Sequence, residues 1–301
     1  MADSAMHQVP RFCVLGNPVT HSQSPFIHAA FADWAGIALD YGRQEAPLDG
    51  FAQTLALLKA DAAFQGCNVT VPFKFEAFAQ ADEASPQAQL AQAANTLQFL
   101  PGRKIFAHNT DGAGLVHDIT QGASVALAGR NVLLLGAGGA AAGVLGPLLD
   151  ASPRLLVLTN RNREKAEALA TRHRPFLLSN SELLVQDLHG LEADLVPEFE
   201  GFFAVVINAT ASSLEGAAVP VSSRVLKSGA LALDMMYGPA AAGFMQWAHG
   251  AGANPRDGLG MLVAQAASAF GLWHGITPHA AATAGVLAAL RQRLSVMSDS
   301  P

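Results

Sequence analysis

Between Asn131 and Ala141 the chain reads Asn-Val-Leu-Leu-Leu-Gly-Ala-Gly-Gly-Ala-Ala, an apolar strand that runs straight into the pattern G-x-G-x-x-A and on into an alanine-rich, helix-forming stretch. Few local patterns narrow the choice of fold so far. Glycines at Gly136 and Gly138 let the backbone turn sharply and approach a pyrophosphate, whose charge is stabilised by amide N–H groups at a helix amino end. The segment therefore predicts a βα unit with a nucleotide at its turn, bound through Gly136, Ala137, Gly138, Gly139, Ala140 and Ala141. Pro147 falls inside the predicted helix and is expected to kink it or end it early.

The next βα unit discriminates between dinucleotides. An NAD-binding unit places a carboxylate about 20 residues beyond the glycines to hold the ribose 2′-hydroxyl. Here the corresponding strand end reads Thr159-Asn160-Arg161-Asn162-Arg163-Glu164-Lys165. A planar guanidinium at Arg161 and a point charge at Lys165, flanked by Asn160 and Asn162, suit a 2′-phosphate. NADP is the expected cofactor. A third strand ends at Asn208-Ala209-Thr210, which either lines the cofactor path or forms an ordinary turn.

Strand-like and helix-like stretches alternate along the whole chain: 12–16, 24–35, 51–60, 66–71 and 73–81, then a second series at 131–136, 154–159, 203–208 and 230–234. This order predicts two α/β domains with mostly parallel sheets. The division falls near Gly112 to Gly129, and the apolar helical pattern from Leu259 to Trp273 has no strand beside it, so it is expected to pack back on the first domain. With 301 residues, 50% of them hydrophobic and a net charge of -6, the chain lacks the basic footprint of a nucleic-acid or membrane-surface binder and points to a small-molecule partner. Two cysteines, Cys13 and Cys67, sit in apolar runs and read as buried free thiols. No signal-peptide plan or transmembrane-length apolar run is present, so a cytoplasmic protein, monomeric or homodimeric, is expected.

Polar residues cluster just past strand ends in the first series. Gly16 to His28 reads G-N-P-V-T-H-S-Q-S-P-F-I-H, and Ser24 before Pro25 is expected to cap a helix starting at Pro25. Hydroxyls at Ser22 and Ser24 around that helix start suit a carboxylate. In Gly66 to Lys74, Asn68 and Thr70 alternate with Cys67, Val69 and Val71, which puts both polar groups on one face. Their burial costs free energy unless they bind something polar. Lys74 follows Pro72 into a helix start. Asn95 and Asp111 stand at further strand ends; Asp111 either pairs with Lys74 or forms an Asx turn into Gly112.

Taken in order, these segments resemble the shikimate dehydrogenase family. The marks are G-N-P-x-x-H-S-x-S-P at 16–25, N-V-T-V-P-F-K at 68–74, A-N-T at 94–96, N-T-D-G at 109–112, G-A-G-G-A-A at 136–141, N-R at 160–161, I-N-A-T at 207–210 and D-G-L-G-M-L-V-A-Q-A-A at 257–267. The resemblance implies NADPH-dependent reduction of 3-dehydroshikimate to shikimate, with no metal. It implies a substrate-binding catalytic domain at 1–112 completed by 257–301, and a Rossmann-type NADP domain at 113–256. By the same likeness Ser22 and Ser24 hold the substrate carboxylate, and Asn68, Thr70, Asn95, Asp111 and Gln265 bind ring hydroxyls. Tyr237 lines the pocket, Gly258 and Met261 approach the nicotinamide, and Lys74 with Asp111 forms the catalytic pair. Met261 and Gln265 are four apart and share a helix face. The chain departs from the family pattern at His108, where Asp is usual, and at Asn162 and Lys165, which soften the expected preference for NADP. A relative that also oxidises quinate, using NAD or NADP, and a non-catalytic nucleotide sensor are the competing readings.

Overall fold

The computed structural model describes residues 8–191, 197–210 and 218–298. The chain divides between Thr110 and Asp111 and again between Gln265 and Ala266, so that one unit holds 1–110 with 266–301 and the other holds 111–265.

In the first unit, β1 (Arg11–Gly16), α1 (Ser24–Ala35), β2 (Asp40–Glu45), α2 (Phe51–Ala60) and β3 (Phe64–Val69) form a βαβαβ run. They are followed by α3 (Lys74–Ala79), β4 (Glu83–Ala84), α4 (Pro86–Ala91), β5 (Thr96–Phe99) and β6 (Ile105–His108). The sheet order is β2-β1-β3-β5-β6-β4. Pairs β1/β2, β1/β3 and β4/β6 are parallel, whereas β5 runs antiparallel to both of its neighbours. Side chains alternate across this sheet as the pleat requires. Cys13, Leu15, Cys67, Val69, Leu97, Phe99, Ile105 and Ala107 face one way and bury together with Phe51, Leu55 and Phe73. Val14, Asn68, Thr96 and His108, in register across β1, β3, β5 and β6, face the other. Both cysteines are free and buried, and burial pushes the Cys13 thiol up to about 12.

Two local expectations fail here. Helix α1 begins at Ser24, not at Pro25, and its cap is Gln23, which makes no side-chain capping bond. The reason is local competition: the Ser24 N–H and hydroxyl are both engaged by the Ser22 hydroxyl, at 3.3 and 3.2 Å, so Ser24 does not reach back to the helix amides. The strand expected to run to Val71 ends at Val69, leaving Thr70 in the turn that leads to α3.

In the second unit, α5 (Asp111–His117) precedes β7 (Asn131–Leu135), α6 (Gly139–Asp150), β8 (Leu155–Thr159), α7 (Arg163–His173), β9 (Glu182–Gln186), β10 (Phe203–Asn208), β11 (Leu226–Asp234), α8 (Ala242–Gly250) and β12 (Asn254–Arg256). The order β12-β11-β10-β7-β8-β9, with every pair parallel, is that of a doubly wound sheet with the crossover reversal beside β7. Helix α9 (Leu259–His274) spans the chain division, and α10 (Ala280–Ser298) follows it. Among the described residues no helix is long and apolar enough to cross a membrane.

Pro147 does not end α6, which continues to Asp150. The hydrogen bond that proline removes is the one to the Gly143 carbonyl, close to the helix end, so the cost is small. The gap is used: a Cβ at Gly112 would lie 2.3 Å from the Pro147 ring and 2.7 Å from the Gly143 carbonyl oxygen, so α5 lies against α6 only because residue 112 is glycine. Helix α7 begins at Arg163 and is capped by the Asn162 side chain, which accepts from the Lys165 N–H at 3.0 Å, so Arg161 lies in the loop before the helix.

Candidate active site

In the first unit three loops meet at the carboxyl ends of β1, β2 and β3. Asn17 donates its side-chain amide to the Ala46 carbonyl at 2.8 Å and its backbone N–H to Val71 at 3.0 Å. Gly16 is required at this junction, because a Cβ there would lie 2.4 Å from the Thr70 methyl group. The serine loop that follows is held from outside by Arg43, whose guanidinium donates to the Ser22 carbonyl at 2.6 and 3.1 Å. Ser24 is buried and Ser22 half-buried, with their hydroxyls 3.2 Å apart.

Next to this loop runs a buried polar row. Tyr41 on β2 donates its hydroxyl to Asn68 Oδ1 at 2.6 Å. Asn68 donates to the Thr96 hydroxyl at 3.0 Å and to the Asn95 carbonyl at 3.2 Å. Thr96 donates to Asn95 Oδ1 at 3.0 Å, and Asn95 donates to the Thr110 hydroxyl at 2.9 Å. Asn68, Asn95, Thr96 and Thr110 are all at most 5% exposed, so the row is satisfied by its own members and by backbone in place of water. Lys74 opens α3, half-buried, and its carbonyl accepts from the N–H of Ala94, the residue before Asn95, at 2.8 Å. The structure thus brings Ser22 and Ser24 together, and Asn68 and Asn95 into one network beside Lys74 and Thr70.

Behind Tyr41 lies a group of rings that the motifs did not disclose. His28 stacks on Tyr41 with centroids 4.3 Å apart and planes 5° from parallel. Trp273 and Phe270 of α9 complete its surroundings. His28 is 0% exposed, neither ring nitrogen reaches a partner in hydrogen-bond geometry, and burial, with the nearby His274, outweighs the raising effect of Asn68 and holds its pKa down to about 3, so it is neutral. Burial also lowers His108 and His274. Sequence reasoning missed Tyr41 and His28; the available signal was that the chain has two tyrosines, one of them in a polar run directly after a helix.

The second unit supplies a different set of parts. Gly136 has φ +109°, and a Cβ there would lie 3.0 Å from the Ala209 carbonyl oxygen, so the turn after β7 and the end of β10 depend on glycine. Gly138 caps α6 with extended backbone and open space where a Cβ would stand. This is a backbone cradle at a helix amino end, and its chemistry fits a pyrophosphate. Asn160 donates to the Asn162 carbonyl at 2.8 Å and orders the loop that carries Arg161. Arg163 is paired with Asp187 and Glu167, whereas among the described residues exposed Arg161 and Lys165 carry no ion pair. Asn208 is buried and turned inward, donating to Asp234 at 3.0 Å and accepting from Thr210 N–H at 3.1 Å, so it organises the end of β10.

Asp111 is 4% exposed and begins α5. Gly114 of the same helix lies against the start of α9, since a Cβ there would be 2.7 Å from Gln265 Cβ and 2.8 Å from the Met261 carbonyl oxygen. Met261 and Gln265 are both buried. Tyr237 is half-buried beside β11, and Gly258 allows its loop to close on the Met235 carbonyl, 2.3 Å from where a Cβ would stand. A further feature absent from the motif reading is a two-point ion pair: Arg256 Nε lies 2.8 Å from Asp118 Oδ2 and Nη2 lies 2.5 Å from Oδ1. Hydrogen bonding to Asp118 raises the Arg256 pKa further above its ordinary value.

Comparison with known proteins agrees along the chain. Residues 14–97 match the shikimate dehydrogenase substrate binding domain, 117–214 match the shikimate / quinate 5-dehydrogenase family and 258–287 match the shikimate 5′-dehydrogenase C-terminal domain. A shikimate dehydrogenase (NADP(+)) from Methylibium petroleiphilum is 54% identical, covering 96% of this chain and 96% of its own. Among solved structures, an Ael1 enzyme from Pseudomonas putida is similar with a TM-score of 0.79 at 39% identity, covering 93% of this chain and 98% of its own. Shikimate 5-dehydrogenase from Thermus thermophilus in complex with NADP(H) and shikimate is similar with a TM-score of 0.77 at 31% identity, with the same 93% and 98% coverage. The chain belongs to the shikimate dehydrogenase family.

Proposed function

We propose that this chain catalyses the reversible, NADPH-dependent reduction of 3-dehydroshikimate to shikimate. The observation that carries the reading is the polar row of Tyr41, Asn68, Thr96, Asn95 and Thr110, which runs next to the segment where the Lys74 backbone bonds Ala94 and whose burial is costly unless it serves a polar ligand. Its alternating donors and acceptors suit a polyhydroxylated ring. Ser22 and Ser24 hold the substrate carboxylate: the Ser22 hydroxyl proton, now given to Ser24, rotates outward to donate to it, joined by the Ser24 hydroxyl. Asn68, Thr70 and Asn95 take ring hydroxyls, joined by Gln265, and Tyr237 lines the pocket.

NADPH, when bound, supplies the hydride. The backbone from Gly136 to Ala141 holds its pyrophosphate, and Asn160, Arg161, Asn162 and Lys165 hold the 2′-phosphate. Asn208, Ala209, Thr210, Gly258 and Met261 border the nicotinamide end. As negative charge develops on the carbonyl oxygen, the Lys74 ammonium stabilises it and donates a proton from Nζ; in the reverse direction Lys74 Nζ takes that proton back. Asp111 orients Lys74 and accepts from a neighbouring hydroxyl.

The test is steady-state oxidation of shikimate and of quinate, each with NADP and with NAD. Shikimate with NADP is expected to be strongly preferred. Comparable quinate turnover or good use of NAD replaces this reading with the broader quinate/shikimate activity, and no turnover in any of the four combinations leaves a nucleotide sensor.

A further inference from the structure

The hydrogen bonds around Asn68 can be counted to completion. Its amide orientation is settled by Asn95, whose backbone carbonyl can only accept and lies 3.2 Å from Asn68 Nδ2. The second Nδ2 hydrogen is placed on the Thr96 hydroxyl at 3.0 Å. Thr96 has its own proton directed at Asn95 Oδ1, and Asn95 is oriented in turn because Oδ1 accepts the Thr110 N–H at 2.8 Å. Both Asn68 donors are therefore committed. Its Oδ1 has two lone pairs, and the Tyr41 hydroxyl takes one at 2.6 Å.

We propose that Tyr41 is a positioning residue that, with Thr96 and the Asn95 carbonyl, turns Asn68 into a ligand with one free acceptor and no free donor. The substrate group seated on Asn68 then has to donate a hydrogen bond, so it is a hydroxyl and never the reacting ketone. This rests on the function proposed above and extends it. Lys74 is a donor-only side chain and receives the carbonyl; Asn68 is acceptor-only and receives a hydroxyl that does not react. A ring presented the wrong way round would set its ketone oxygen against the Asn68 lone pair, acceptor against acceptor, and would leave Lys74 on a hydroxyl in place of the reacting carbonyl. The polarity of the row thereby selects one orientation of the substrate.

Tyr41 is equipped for this role. Its ring is clamped flat on His28, and His28 is neutral, so no imidazolium competes for the phenol oxygen. Burial first, and then the buried thiols Cys13 and Cys67, raise the phenol pKa well above its ordinary value, so Tyr41 keeps the proton it donates.

The experiment compares wild type, Tyr41→Phe, Asn68→Ala and the double variant. Phenylalanine keeps the ring stack and removes the hydroxyl, with its bond to Asn68 and its contact with Ser24. Expected for Tyr41→Phe is a KM for shikimate raised by roughly 3- to 10-fold, the range of one neutral hydrogen bond. The kcat, the KM for NADP and the thermal midpoint should stay near wild type. In the Asn68→Ala background the same replacement should add nothing, because the residue it acts through is gone. An unchanged KM in Tyr41→Phe, or an equal effect in both backgrounds, overturns the proposal, the latter showing that Tyr41 supports the fold in general. Failure of the wild type to oxidise shikimate with NADP would instead remove the parent function, and this inference with it, before any variant is compared.

Discussion

The two sheets of this protein handle polarity in different ways. In the second unit all neighbours are parallel, and the strand interiors are apolar: Val132 to Leu134, Leu156 to Leu158 and Val205 to Ile207 are 0% exposed. Such a sheet is covered on both faces, so it can display function only where strands end, at Gly136, Asn160, Asn208 and Asp234. In the first unit β5 runs against its neighbours. A parallel strand offers its carboxyl end to the functional edge; the reversed β5 offers its amino end, and so Asn95 and Thr96 arrive beside Asn68 from the opposite chain direction. One antiparallel strand turns a row of isolated strand-end groups into a connected network.

If the first unit carries the chemistry and the second carries the cofactor, Lys74→Ala should separate them most sharply. Turnover is expected to fall by roughly 10²- to 10⁴-fold, the usual contribution of a positioned proton donor, while NADP affinity measured by fluorescence titration stays near wild type. Retained turnover would remove Lys74 from the mechanism.

The second unit should break elsewhere, at its partly buried ion pair. A Cβ at Gly260 would lie 1.8 Å from Asp118 Oδ1, and Asp118 cannot yield without leaving Arg256. Gly260→Ala is expected to cost about 1–3 kcal/mol in urea unfolding, the range for forcing an extra carbon into a packed contact. A loss below about 1 kcal/mol would show that the pair adjusts freely.

Acid should act most on the first unit. His28 has a folded pKa near 3 against an ordinary 6.5, and it faces Tyr41, Trp273, Phe270, Asn68 and His274. The unfolded chain binds the proton more readily. Stability from the neutral ring is therefore complete above pH 6.5 and is lost as pH falls toward 3, at up to ~1.4 kcal/mol per pH unit. Burial lowers His108 and His274 in the same direction; His173 in the second unit adds its own share. His28→Phe should flatten the dependence of unfolding free energy on pH between 6 and 4, and an unchanged slope would mean that another group controls it.

Much of this architecture was legible in advance, and the exceptions have a pattern. Strands β1, β3, β7, β8, β10 and β11 came through as apolar runs, β10 and helix α2 with the expected limits. No apolar run announced β2, β4, β5, β6, β9 and β12, and four of these six, β2, β4, β9 and β12, are the sheet edges. Edge strands have one neighbour and an open side, so sequences such as Asp-Tyr-Gly-Arg-Gln-Glu suffice there and carry little hydrophobic signal. At the site, Ser22, Asn68, Asn95, Lys74, Asp111 and the glycines stood out because polar or flexible residues in apolar surroundings need a reason. Tyr41 and His28 did not, since a tyrosine in a polar strand and a histidine in an amphipathic helix look ordinary until packing brings their rings together.

The sequence by itself determined the two α/β series, the glycine turn, the basic loop at Arg161 and the ordered motifs of the family, because each depends on residues close together in the chain. Only the tertiary structure decided that β5 is reversed, that Asn68 keeps one free lone pair, and that Arg256 meets Asp118 across 138 positions. Hydrogen-bond direction and long-range pairing depend on which groups folding brings within about 3 Å, and that is a property of the packed chain, not of local pattern.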